Sequence, residues 1–98
     1  MLLDGGIRRG SDVVKAIASG ADFIGMGRMQ CWALAAAGEA GVLRMLELLE
    51  DEVIRSLGLL GVTSFAELDN SYVRTAIATN APSVFSAFPL LDIEPYRY

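Results

Sequence analysis

Across 98 residues the chain carries eight basic and twelve acidic side chains, a net charge of −4, 53% hydrophobic residues and a mean hydropathy of +0.42. That balance excludes a nucleic-acid binder relying on a basic patch, and Arg, Glu or Asp interrupts every apolar run before it reaches the roughly 18 residues of a membrane span. Cys31 is the one cysteine, so no internal disulfide can form, and with no leader pattern at the start the cytoplasm is the default compartment. In chain order, the apolar run Met1-Leu2-Leu3 reads as a strand that ends in the glycine turn Asp4-Gly5-Gly6-Ile7-Arg8-Arg9-Gly10. The turn opens onto a short helix with Val13, Val14 and Ile17 on one face. Ser11 is the expected N-cap, Asp12 suits the positive end of the helix dipole, and Gly20 is placed to end the helix left-handed. Ala21-Asp22-Phe23-Ile24-Gly25-Met26-Gly27 then reads as a buried parallel strand closed by Gly27-Arg28.

The small apolar stretch from Met29 to Ala37, which includes Cys31 and Trp32, predicts a short helix broken at Gly38. Cys31 is expected as a small buried hydrophobe, because no second cysteine, acid or base adjoins it. From Glu39 to Leu60 the spacing of Val42, Met45, Leu46, Leu49, Val53, Leu57 and Leu60 predicts an amphipathic helix, with Arg44, Glu47, Asp51 and Arg55 on its other side. At least three of the acids Glu47, Glu50, Asp51 and Glu52 are expected to fan into solvent, so the cluster reads as a solvated face and not as a metal site or an acid/base pair. Thr63 or Ser64 caps a short turn through Glu67. These elements make one βαβα portion, 1–79, followed by an extended tail, 80–98. The tail carries Pro82, Pro89 and Pro95 with the aromatic residues Phe85, Phe88, Tyr96 and Tyr98.

Two parallel strands joined by a helix place both following loops at one edge of the sheet. Gly5, Gly6 and Gly27 let backbone amides approach an oxyanion closely, and Arg8 and Arg28 add planar, permanently charged forks. Either Gly-Arg pair alone is an ordinary turn. Two pairs at the ends of successive strands point to a shared phosphate, and in barrels of eight β/α units that site lies after strands seven and eight.

The segments Leu3 to Ala16, Gly20-Ala21, Gly27-Arg28, Leu34-Ala35-Ala36, Gly38 to Val42, and Leu60 to Ser64 ahead of Ala66-Glu67-Leu68 give the chain a specific resemblance. It resembles the FMN-dependent 2-hydroxy-acid oxidases and dehydrogenases, which include glycolate oxidase, lactate oxidase, mandelate dehydrogenase and the flavin domain of flavocytochrome b2. The resemblance implies an α/β fold, the C-terminal part of a TIM (β/α)8 barrel comprising strands 7–8 and their helices. It implies FMN as cofactor, with Asp4, Gly5, Gly6, Ile7, Arg8, Gly27 and Arg28 at the flavin phosphate, and it implies a homo-oligomer.

The same resemblance marks what is missing. Those enzymes remove the substrate's α-hydrogen with a histidine in a His-Gly-X-Arg segment, and this chain has no histidine. No catalytic residue or metal ligand is assigned, and the chain by itself is expected to be inactive. A full barrel needs about 250 residues, so the chain is expected to be the C-terminal portion of a longer enzyme. Trp32 either covers the flavin edge or simply packs; the tail docks on the parent barrel or on a neighbouring subunit. Two other readings stand beside this one. The first is a related phosphate-binding barrel, type 2 isopentenyl diphosphate isomerase or IMP dehydrogenase, against which the Gly27-Arg28 turn and the Gly38–Val42 stretch argue. The second is a non-catalytic module that assembles by burying its apolar strand edges.

Overall fold

The structure, a computed structural model, describes residues 1–77, so the expectations for the tail from 80 onward lie outside the described residues. Strand β1 (Leu2–Asp4) leads through the glycine turn to helix α1 (Gly10–Ala18), strand β2 (Phe23–Gly25) and the long helix α2 (Arg28–Leu60), with short 3-10 turns at Phe65–Glu67 and Asn70–Tyr72. The two strands pair in parallel, Leu2 opposite Phe23, Leu3 opposite Ile24 and Asp4 opposite Gly25. This is the expected strand, helix, strand unit. Burial of the strands is less than expected: Leu2 is 78% and Phe23 70% exposed, because two strands alone leave one sheet face uncovered.

The start of α1 differs from the expected cap. Arg9, extended at φ −138°, is the N-cap in place of Ser11. The Asp12 carboxylate reaches back instead and accepts from the N–H groups of Arg8 at 3.0 Å and Arg9 at 3.1 Å. With the helix starting at Gly10, Ser11 lies inside the first turn, and Asp12 at the third helical position accepts the N-cap N–H as the acid of a capping box does. The other end follows expectation. Gly20 takes φ +105°, its N–H donates to Ile17 O at 2.9 Å, and the Ala21 N–H donates to Ala16 O at 3.1 Å. That pair of bonds is the left-handed helix stop, and Ala21 packs in one buried cluster with Ala16.

Helix α2 is interrupted at Ala37 (φ −152°) and Gly38 (φ +60°), which divides it into segments 28–36 and 39–60, as the glycine predicts. In the second segment Met45 and Leu49 are buried and Asp51 pairs with Arg55 at 2.8 Å, one turn apart with the acid first. Leu46 is 48% exposed, so the buried stripe is narrower than the sequence spacing predicts. Gly61 ends α2 at φ +77°, and the next residue, Val62, donates to Leu57 O at 3.1 Å. Only glycine adopts that backbone readily. Gly61→Ala is expected to lower stability by about 1 kcal/mol, read as a shift in the denaturation midpoint of the complete protein.

Beyond it, Ser64 caps the first 3-10 turn. The Glu67 carboxylate accepts from the Thr63 N–H at 2.7 Å, the Thr63 hydroxyl at 2.9 Å and the Ser64 N–H at 3.0 Å. These bonds, the Thr63 backbone first, hold its carboxyl below the usual glutamate range.

Helix α1 is the centre of the packing. Val14 and Ala18 join Val62 and Leu68 in one buried cluster, bordered by Ile17, Val53 and Leu57. Ala16 joins Ile7 and Ala21 in a second, bordered by Leu3, Val13, Ile24 and Met26. Val13 therefore faces the sheet while Val14 and Ile17 face α2, and the single apolar face read from the sequence is two faces. The helix holds the sheet on one side and α2 on the other, which fixes the loops described next.

Candidate functional site

Parallel pairing with Asp4 opposite Gly25 puts the C-terminal ends of both strands side by side. The loop from β1 continues through Gly5 (φ +106°) and Gly6 (φ +73°) to Arg8; that from β2 passes Gly27, the N-cap of α2, to Arg28. Asp4, Gly5, Gly6, Ile7 and Arg8 thus share one edge with Gly27 and Arg28. A Cβ at Gly5, Gly6 or Gly27 would meet no atom within 4 Å, so the backbone at all three is open to close approach. Two successive positive φ values suit glycine, which has no Cβ to clash in that conformation.

The side chains divide into anchors and charges. Ile7 is 8% exposed and packs with Ala16 and Ala21, so it pins the loop while only its backbone faces the edge. Asp4 is exposed, and its carboxylate would repel a phosphate; only its backbone suits such a ligand. Arg8 is exposed, with its guanidinium carbon 5.8 Å from the centre of the Trp32 ring and no ion-pair partner among the described residues. Arg28 is exposed and opens α2, whose N-terminus favours an anion.

The N-terminus of α1, by contrast, is closed by the protein's own acids. Asp12 takes the N–H groups of Arg8 and Arg9, and Glu52 takes the N–H of Gly10 at 2.6 Å. An external anion is left the earlier loop amides, the start of α2 and the Arg8 guanidinium, with Arg28 at the same edge. Arg9, which the sequence left with no definite role, pairs with Glu52 at 3.4 Å. The residues present therefore fit a phosphate: open glycine backbone on both loops, two arginines, and the Asp12 and Glu52 carboxylates bonded to the start of α1.

Sequence reasoning missed Glu52. It was placed among solvated acids, yet it reaches across 42 positions to Gly10. The signal was its position: 52 lies three residues after Leu49 and seven after Met45, on the buried stripe of α2. Trp32 stacks beside Arg8. Cys31 is exposed and not buried, because segment 28–36 presents that side outward. A cleft of about 480 Å³ opens beside Arg8 and Trp32, walled by Ala33, Ala36, Met45 and Leu49. Its walls are mostly apolar, with Arg8, Arg44 and Glu52 also lining it, so it adjoins the glycine-arginine edge at Arg8.

Comparison with known proteins matches residues 1–75 to the model of a family described as FMN-dependent dehydrogenase. Among curated relatives, a 2-hydroxyacid oxidase of Dictyostelium discoideum is 44% identical over 73 residues, 74% of this chain and 19% of its own length. An L-lactate dehydrogenase of Chromohalobacter salexigens is 49% identical over 78 residues, 80% of this chain and 20% of its own. Among solved structures, the flavin-binding domain of baker's yeast flavocytochrome b2 superposes with a TM-score of 0.67 at 34% identity, covering 85% of this chain and 25% of that one. The chain spans about a fifth of the length of the curated relatives it matches.

Proposed function

Because the chain belongs to the FMN-dependent dehydrogenase family, we propose that it is the FMN-phosphate-binding, C-terminal portion of a TIM-barrel (S)-2-hydroxy-acid oxidase or dehydrogenase. The observation that carries this reading is the convergence of two Gly/Arg loops at one edge of a parallel strand pair, while the N-terminus of α1 is taken by Asp12 and Glu52. Gly5, Gly6, Ile7 and Gly27 offer backbone donors to the phosphate, and Arg8 and Arg28 bracket it with charge. FMN, when bound, supplies the two-electron acceptor that oxidises the hydroxy acid to the oxo acid. This chain's residues hold the cofactor by its phosphate end and so fix where its ring can lie; the group that takes the proton comes from elsewhere, since there is no histidine here.

The barrel reading has support of its own. Leu2, Phe23, Leu34, Leu43, Ile54 and Leu59 are 57–90% exposed, as expected of faces that further strands and helices cover. The same surface is compatible with homo-oligomeric assembly.

The test is anaerobic reduction of the purified complete enzyme. A short-chain (S)-2-hydroxy acid is expected to bleach the oxidised-flavin absorbance, and the isolated 98-residue chain is expected to catalyse nothing. Isomerisation of isopentenyl diphosphate, or oxidation of IMP, by the complete enzyme in place of that bleaching would reject this function in favour of a related barrel.

A further inference from the structure

We propose that Glu52 is a positioning residue for the phosphate loop, tying the far end of that loop to helix α2; the inference rests on the phosphate-binding reading above. Its Oε2 accepts the Gly10 N–H at 2.6 Å and its Oε1 the Arg9 guanidinium at 3.4 Å, so one carboxylate grips two successive residues of the loop's end. Gly10 is buried, and a Cβ there would lie 2.5 Å from Glu52 Cβ, which shows how closely the loop is seated on α2. The Glu52 side chain is only 34% exposed although it carries charge on a packed face, and its charge is balanced there by Arg9 and by the positive end of α1.

Two consequences follow for the ligand. The carboxylate removes Arg9 and the first amide of α1 from competition for the phosphate, which confines an external anion to Arg8 and its glycines. It also fixes the end of the loop two residues from Arg8, whose guanidinium must be held in place to make paired bonds. Glu52 touches neither cofactor nor substrate; it acts through the backbone of Gly10.

The experiment measures FMN and riboflavin dissociation constants for the complete enzyme and its Glu52→Ala and Glu52→Gln variants, with Arg8→Ala alongside. Glu52→Ala is expected to weaken FMN about tenfold, the scale of one charge-assisted hydrogen bond, while riboflavin, which has no phosphate, changes by less than about twofold. Glu52→Gln keeps an acceptor for the Gly10 N–H and is expected to recover FMN affinity to within about threefold of the parent. Equal weakening of both flavins would show a general packing role and overturn the inference, as would unchanged FMN affinity in Glu52→Ala while Arg8→Ala loses it. If Arg8→Ala itself leaves the preference for FMN over riboflavin intact, the phosphate reading beneath the inference fails.

Discussion

Arg8→Ala and Arg28→Ala are each expected to raise the FMN dissociation constant of the complete enzyme about 10- to 100-fold, the loss of roughly 1.5–3 kcal/mol of hydrogen bonding to a charged group. Riboflavin affinity is expected to stay the same, since it lacks the phosphate that these arginines are proposed to hold. The two arginines arrive from different strands, Arg8 four residues after the end of β1 and Arg28 three after the end of β2, yet the parallel register sets those strand ends side by side. Because both are proposed to act on one phosphate, the double variant is expected to fall short of the product of the two single effects; once one fork is gone the phosphate is free to shift. Lysine at either position keeps the charge and loses the planar pair of donors, so Arg8→Lys and Arg28→Lys are expected between parent and alanine variants. Turnover at saturating FMN is expected to change much less than affinity. An alanine variant that holds FMN and riboflavin in the parent's ratio would remove that arginine from the site.

Gly10→Ala is expected to be the most disruptive single methyl in the loop. Its Cβ would lie 2.5 Å from Glu52 Cβ, 2.6 Å from the Val53 nitrogen and 2.7 Å from the Glu52 carbonyl carbon. Two of those atoms are backbone within α2, so no rotamer change relieves the clash; α1 must move off α2. Overpacking of this kind costs about 1–3 kcal/mol, and here it also lengthens the bond from the Gly10 N–H to Glu52. Gly27→Ala is the matched control for stability, because a Cβ there meets nothing within 4 Å and the backbone is at φ −97°. The denaturation midpoints of the two variants separate the ideas: equal stability would mean that the α1–α2 seat is looser than the packing implies.

Much of this arrangement was legible in the sequence because local chemistry dictates it. Glycine turns after two short apolar runs, with a helical period between them, require little beyond backbone sterics, and β1, α1 and β2 appear where those signals fall. The break at Gly38 and the left-handed stop at Gly20 are legible for the same reason. What was not legible depends on partners remote in sequence. Ser11 carries the better capping side chain, yet the helix begins at Gly10, which puts Arg9 at the N-cap and Ser11 inside the first turn, where Asp12 accepts the N-cap N–H. Glu52 looks like one of four solvated acids until α1 is laid against α2 and the Gly10 N–H arrives beside it. Cys31 has the composition of a buried residue, but burial depends on a covering surface, and segment 28–36 turns it outward. Leu2 and Phe23 make the same point for the sheet: their apolar character predicts a covered face, and the described residues supply only one layer of cover.

The site differs from the fold in one respect. Its glycines and arginines were identifiable one by one, but their convergence depends on strand register, which the sequence implies only through the rule that parallel strands deliver their loops to a common edge. The division of labour among donors was not identifiable at all. Which amides remain for a ligand follows only once Asp12 and Glu52 are seen to occupy the others.

The most direct test is a crystal structure of the complete enzyme with FMN bound. The account predicts the flavin phosphate between the β1 and β2 loops, with its oxygens within hydrogen-bond distance of the Arg8 and Arg28 guanidinium groups and of backbone N–H groups among residues 5–7 and 27. It also predicts that the Gly10 N–H stays on Glu52. A phosphate seated instead on the N-terminus of α1, displacing Glu52, or held away from both arginines, would contradict it.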